Sequence, residues 1–230
     1  MDSGTARFAL FDLDDTLVDS TVPMRAWARS LCARYGLPGD STEWIMKNWR
    51  ICSTWQDFTG MAARHLGHAD AAEEWTADLL ANYPLEFVLD PAAAERLEAL
   101  RADGWKLGIV TNGGTTLQAA KIDQVGLGSY VDAICVSETE GVRKPDRAIF
   151  ENAARKLGVE LGPHGWMIGD TLGADIAGGL AAGLRTVWLP GEQATVGSAH
   201  DSADLIDGDP QPHFVRNSIV DALDLLLASA

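Results

Sequence analysis

Five short apolar runs of strand length limit the fold more than any other feature: Phe8–Phe11, Lys106–Val110, Ala133–Val136, Trp166–Ile168 and Thr186–Leu189. Helical patterns lie between them. One starts at Pro91, carries Leu97 and Leu100 and stops at Gly104. A second spans Thr115 to Gly126, and a third, with Asp146 as its N-cap, carries Phe150, Ala154 and Leu157 to Gly158. Further helices cover Ala174 to Ala182 and Ser218 to Leu227, while the polar stretch from Gly191 to Pro212 reads as loop. Strands alternating with helices of this length predict an α/β fold, a doubly wound and mostly parallel sheet with helices on both faces. On such sheets ligands bind beyond the carboxyl ends of the strands.

Between the first two strands the composition changes. From about Asp19 to Leu89 the pattern is helical and rich in Trp and Ala. Pro23 can open a helix through Trp27, Leu31 and Tyr35, ended by Gly36. Ser41 offers a cap for a second helix holding Trp44, Ile45 and Trp49. A third runs from Trp55 to Leu66 and a fourth from Ala71 to Ala81. The expected organisation is a core of residues 1–18 and 90–230 with a small helical domain of residues 19–89 inserted after the first strand.

A chain of 230 residues can bury one sizeable core, and 47% hydrophobic with 22% charged content suits a globular protein. No apolar stretch approaches the ~20 residues needed to cross a bilayer. Residues Met1 to Arg7 lack a basic segment leading into an apolar one, so a cytoplasmic location is expected. Cys32, Cys52 and Cys135 have no C-x-x-C spacing and read as reduced, mostly buried thiols. The net charge of −15 argues against nucleic-acid or anionic-membrane partners, since no basic stripe offsets phosphate repulsion. It leaves room for a small phosphorylated metabolite, because distant charges are screened and a bound divalent ion acts at contact.

Four groups of polar residues follow apolar strands or precede a helix. Asp12 and Asp14 are two apart after the first strand, so both can face one side of the chain end. Two such carboxylates repel unless a cation sits between them or one holds a proton. Thr111-Asn112-Gly113-Gly114 follows the second strand and offers a hydroxyl with backbone N–H groups for phosphate oxygens. Lys144-Pro145 precedes the capped helix, and Gly169-Asp170-Thr171-Leu172-Gly173-Ala174-Asp175 follows another strand. Taken singly, each has a plainer reading: an acidic turn, an Asn-Gly turn, a surface lysine, a turn acid with a helix-start acid. His65 with His68 is the nearest approach to a histidine ligand pair and reads as helix surface. Nothing offers the sulfur and imidazole set that zinc prefers.

As a set the four groups resemble the motifs of the haloacid dehalogenase superfamily, beginning with D-x-D-x-T-L at Asp12 to Leu17. The resemblance covers essentially the whole chain, and the helical insert looks like that superfamily's first class of cap. It implies a Rossmann-like catalytic core and an Mg²⁺-dependent phosphatase that hydrolyses a phosphomonoester through an aspartyl-phosphate. Asp12 would be the nucleophile and Asp14 the general acid/base, its backbone carbonyl also touching the metal. Thr111 and the Asn112 backbone, with Gly113 beside them, would bind the transferring phosphoryl group. Lys144 would hold the nucleophile and neutralise charge. Asp170 would ligate Mg²⁺ directly, and Asp175 would ligate through water or hold Lys144. The implied metal set is thus Asp12, Asp14, Asp170 and Asp175.

Asp14 separates the branches of that superfamily, because the metal-independent haloacid dehalogenases lack an acid there. Phosphonoacetaldehyde hydrolases need a cap lysine, and the only one between Asp12 and Lys106 is Lys47, in an unlike segment. A phosphoglucomutase would share all four motifs, and a non-catalytic module sensing a phosphorylated ligand would not need a nucleophile. Position 15 departs from the common pattern, being Asp where many members carry Gly. The stretch from Thr111 through Gln118 and Lys121, then Ser137-Glu138 to Lys144-Pro145-Asp146, looks most like nucleotidase and acylneuraminate-phosphate phosphatase relatives. Substrate choice would fall to the insert, where Met24, Trp27, Trp44, Trp49, Trp55 and Phe58 either line a pocket or pack the small domain's core. Gly178, Gly179 and Gly183 read as close helix packing rather than a nucleotide loop. The expected protein is a monomer or homodimer.

Overall fold

The computed structural model describes residues 6–191 and 208–229. Most of the loop expected over 191–212, His200 and the first five residues therefore lie outside the described residues. The chain divides into two compact units, one taking the residues up to Val18 and from Leu89 onward, the other Asp19–Val88.

The first unit is built on a six-stranded sheet. Its strands are β1 (Phe8–Phe11), β2 (Lys106–Thr111), β3 (Ala133–Val136), β4 (Gly165–Gly169), β5 (Arg185–Trp188) and β6 (Phe214–Val215). Their order is β3-β2-β1-β4-β5-β6, and every pairing is parallel. The fold is the expected α/β, Rossmann-like one, and β1 lies at its centre because all four of its residues are apolar and buried on both faces. Phe8 and Leu10 pack with Val110, Met167 and Phe150 in one core cluster. Strand β6 carries no sequence signal, because two residues are too short to show a period of two.

The second unit contains α1 (Thr21–Tyr35), α2 (Ser41–Asn48), α3 (Trp55–His65) and α4 (Ala72–Asn82), with one 3₁₀ turn between α3 and α4 and another after α4. Helix α1 starts before Pro23, because the Asp19 carboxylate accepts from the backbone N–H groups of Thr21 and Val22. Ser41 is the first residue of α2 rather than its cap. Met24, Trp27, Trp49 and Phe58 are buried, and Trp44 and Trp55 are half-buried. Trp27 is fixed by its indole N–H, which donates to Asp78 at 2.9 Å. His65 stacks on Trp44 and His68 sits edge-on to Tyr35, so the two rings serve separate aromatic contacts.

Helices of the first unit are α5 (Pro91–Ala102), α6 (Thr115–Gln124), α7 (Ser137–Glu140), α8 (Arg147–Leu157), α9 (Ala177–Ala181) and α10 (Ile219–Ala228). Asp90 and Asp146 cap α5 and α8 by accepting from the N–H groups of Ala92 and Ala148. The helix expected from Ala174 begins instead with a wide π-helical turn over Leu172–Ile176, in which the N–H groups of Asp175 and Ile176 both donate to the Thr171 carbonyl. Gly178 and Gly179 are packing glycines: a Cβ would come within 2.8 Å of Phe150 and 2.9 Å of Met167 and Thr186. Of the three thiols, all free, only Cys135 is buried, and burial pushes it up to about 11. Among the described residues no helix is long and apolar enough to cross a membrane.

Candidate active site

The parallel register brings the strand ends together. Phe11 pairs with Ile109 of β2 and Ile168 of β4, so Asp12, Thr111 and Asp170 all emerge at the carboxyl edge of the three central strands. The Asp12 N–H extends the ladder by donating to the Ile168 carbonyl at 2.9 Å. Asp170 is anchored from β5, where the Trp188 indole N–H donates to its carbonyl at 2.8 Å. Gly169 makes room for the next residue of the site. A Cβ there would lie 2.3 Å from the Asp175 carboxyl carbon.

Lys144 reaches this edge from the loop before α8 and is almost fully buried. Its ammonium donates to Asp12 Oδ1 at 2.5 Å and lies 2.7 Å from Asp175 Oδ1. Asp175 is held in turn by the Thr171 N–H on its other oxygen. Asn112 explains how the lysine loop is kept in place. Its side chain donates to the Lys144 carbonyl at 3.0 Å and accepts from the Lys144 N–H at 2.9 Å. The Gly113 N–H, expected to face a phosphoryl oxygen, donates to Ser137 Oγ at 3.0 Å instead. The hydroxyl at the first residue of α7 thus takes the donor that the sequence left open.

Negative charge dominates. Carboxylate oxygens of Asp12, Asp170 and Asp175 lie within 4.8 Å of one another. Burial pushes the Asp12 carboxyl up to about 7, with Asp175 and Asp14 pushing the same way and Lys144 opposing. Asp170 is raised well above the usual carboxylate range by burial, then by Asp12 and Asp175. Burial works against the Lys144 charge, but Asp12 and Asp175 more than offset it, so the lysine stays protonated. One buried cation faces two buried carboxylates and the half-buried Asp170, which favours either a bound proton or a further cation. An all-oxygen set of this kind suits Mg²⁺ and lacks the softer ligands of zinc. Asp12, Asp170 and Asp175 are the residues whose carboxylates could hold it.

Asp14 points to a different set of partners. Lys121 donates to its Oδ1 at 2.7 Å and Gln118 donates to its Oδ2 at 2.9 Å. Gln118 also donates to Thr111 Oγ1 at 2.7 Å. Both come from the inner face of α6, and both are buried. The available signal was their spacing: polar residues three apart share a helix face with Ile122, which has to be the inner one.

A family model described as a haloacid dehalogenase-like hydrolase matches residues 7–183. The pyrimidine 5'-nucleotidase YjjG of Escherichia coli is 41% identical over 99 residues, 43% of this chain and 44% of that enzyme. In that alignment the chain spans less than half the length of its relative. A glyceraldehyde 3-phosphate phosphatase of Pyrococcus abyssi is 30% identical over 189 residues, 78% of this chain and 79% of that enzyme. Among solved structures, the HAD hydrolase YfnB of Bacillus subtilis superposes with a TM-score of 0.75 over 96% of this chain and 99% of its own, at 21% identity. With the family model matching from β1 to the end of α9, and the strand-edge acids and lysine in place, the chain belongs to the haloacid dehalogenase-like hydrolases.

Proposed function

We propose that the protein is an Mg²⁺-dependent phosphatase that hydrolyses a phosphomonoester of a small metabolite through an aspartyl-phosphate on Asp12. The observation that carries this reading is the contact of Lys144 with Asp12 Oδ1 inside a cluster of three carboxylates. A lysine on one oxygen leaves Asp12 Oδ2 for phosphorus and orients it. Two like charges at ~4 Å repel by about 4 kcal/mol at an effective dielectric of 20, so the cluster needs added positive charge before a phosphate dianion can enter. What Mg²⁺ supplies when bound is that neutralisation, together with polarisation of the phosphoryl oxygens.

The residues of this chain then have separate tasks. Asp12 forms the new P–O bond as the ester P–O bond breaks, and Asp14 passes a proton to the departing oxygen. Thr111 holds a phosphoryl oxygen through its hydroxyl, with the Asn112 backbone beside it. In the second half, Asp14 takes a proton from the attacking water, phosphate leaves and Asp12 is regenerated. Lys144 keeps Asp12 in place throughout, and Asp175 keeps Lys144. The residues of Asp19–Val88 act as the substrate-selecting cap. The relatives named as a pyrimidine 5'-nucleotidase and a glyceraldehyde 3-phosphate phosphatase support phosphomonoester hydrolysis as the reaction class.

The test is release of phosphate from p-nitrophenyl phosphate with and without Mg²⁺. Turnover should need the metal and should fall by at least about 10³ in Asp12→Asn, which removes the nucleophile. Hydrolysis that persists in Asp12→Asn would sink the assignment.

A further inference from the structure

Helix α6 lies outside the four motifs, yet it places two buried polar side chains on reacting groups. A lysine and a glutamine on the inner face of a helix are the costly choice, because apolar side chains there would need no desolvation. Their contacts show what they are used for. Lys121 donates to Asp14 Oδ1 at 2.7 Å, and its side chain is only 3% exposed, against 30% for Asp14. Asp14 is thus held from the protein side while it remains reachable from solvent.

Gln118 acts on two groups at once. A carboxylate oxygen can only accept, so the glutamine presents its NH₂ to Asp14, which fixes the amide's orientation. The second N–H of that NH₂ donates to Thr111 Oγ1. Thr111 is thereby made an acceptor toward the helix, and its own hydrogen is left to be donated elsewhere. That is the polarity a hydroxyl needs to bind a phosphoryl oxygen.

We infer that Gln118 and Lys121 are positioning residues, which aim the Asp14 carboxyl at the leaving oxygen and turn the Thr111 hydroxyl toward the phosphoryl group. The inference rests on the phosphatase reading and adds to it residues that touch neither phosphorus nor metal. Neither residue transfers a proton or forms a bond to substrate; each acts through Asp14 or Thr111.

Positioning of an acid has a signature that general damage lacks. Phenolate is a stronger base than p-nitrophenolate and needs more help to leave, so misplacing Asp14 should hurt phenyl phosphate more than p-nitrophenyl phosphate. The experiment measures kcat/KM for both esters, with Mg²⁺ present, in wild type, Lys121→Met and Gln118→Met, and again in an Asp14→Asn background. Each variant should lose about tenfold or more on phenyl phosphate beyond its loss on the nitrophenyl ester, and this excess should vanish when Asp14 is already gone. Equal losses on the two esters, or an excess that survives Asp14→Asn, would overturn the positioning role alone. Gln118→Met, close in shape to the residue it replaces, decides the matter if Lys121→Met does not fold. Turnover surviving in Asp12→Asn would instead remove the phosphatase reading and this inference with it.

Discussion

Asp15 lies in left-handed backbone, at φ 57°, where the chain turns so that the Asp15 N–H can reach the Val18 carbonyl. Glycine enters that region freely, and Asp or Asn tolerates it better than other residues. This accounts for the departure at position 15, where many members of the family carry Gly: the turn geometry is the requirement, and Asp meets it. Asp15→Gly should therefore stay within about 1 kcal/mol of wild type, whereas Asp15→Val should cost roughly 1–2 kcal/mol or more. Urea unfolding midpoints would show the difference, and equal midpoints for the two would count against it. Asp12 gives a second test. Its folded pKa is raised from 3.8 to about 7 by burial, so its contribution to stability is fully present below pH 3.8 and is lost as pH rises through 7. In metal-free protein, the stability of wild type relative to Asp12→Asn should fall between about pH 4 and 7, and added Mg²⁺ should restore it above that range. A pH-independent difference would contradict the buried, charge-crowded environment. Lys144→Met should destabilise the protein by about 3 kcal/mol near neutral pH, since it strands Asp12 and Asp175 without their cation.

At the level of elements, the site depends on parallel registry and on what each strand end permits. Gly169 closes β4 directly under Asp175, so Gly169→Ala pushes the carboxylate that holds Lys144. The expected outcome is a folded protein that loses about 1–3 kcal/mol by overpacking and most of its turnover. Full activity in that variant would mean that Asp175 is not needed to place the lysine. Strands β1 to β5, the cap at Asp146 and the acids after β1 and β4 could be read from the chain, because apolar runs, N-cap residues and abrupt carboxylates are local signals. What could not be read depends on contacts distant in sequence. The Asn112 side chain reaches Lys144, the Ser137 hydroxyl takes the Gly113 N–H, and α6 turns Gln118 and Lys121 inward onto Asp14. The π-helical turn at Leu172–Ile176 has no signal in the sequence either, since its widening follows from two N–H groups sharing the Thr171 carbonyl.

At the scale of the whole molecule, a net charge of −15 and a phosphorylated substrate look incompatible, yet the conflict is local rather than global. Surface charge is screened over about 8 Å at physiological ionic strength, whereas the carboxylates at the sheet edge meet a phosphate at contact. Charge neutralisation at that edge therefore controls the reaction more than the acidic surface does. The claim at the centre is that phosphorus becomes bonded to Asp12. It can be tested by mixing the Mg²⁺-loaded protein with a phosphomonoester, quenching rapidly in acid, reducing with borohydride and mapping the peptides by mass spectrometry. Conversion of Asp12 to homoserine, dependent on both ester and Mg²⁺, is the expected result. Conversion of a different carboxylate, with Asp12 untouched while phosphate is released, would contradict it.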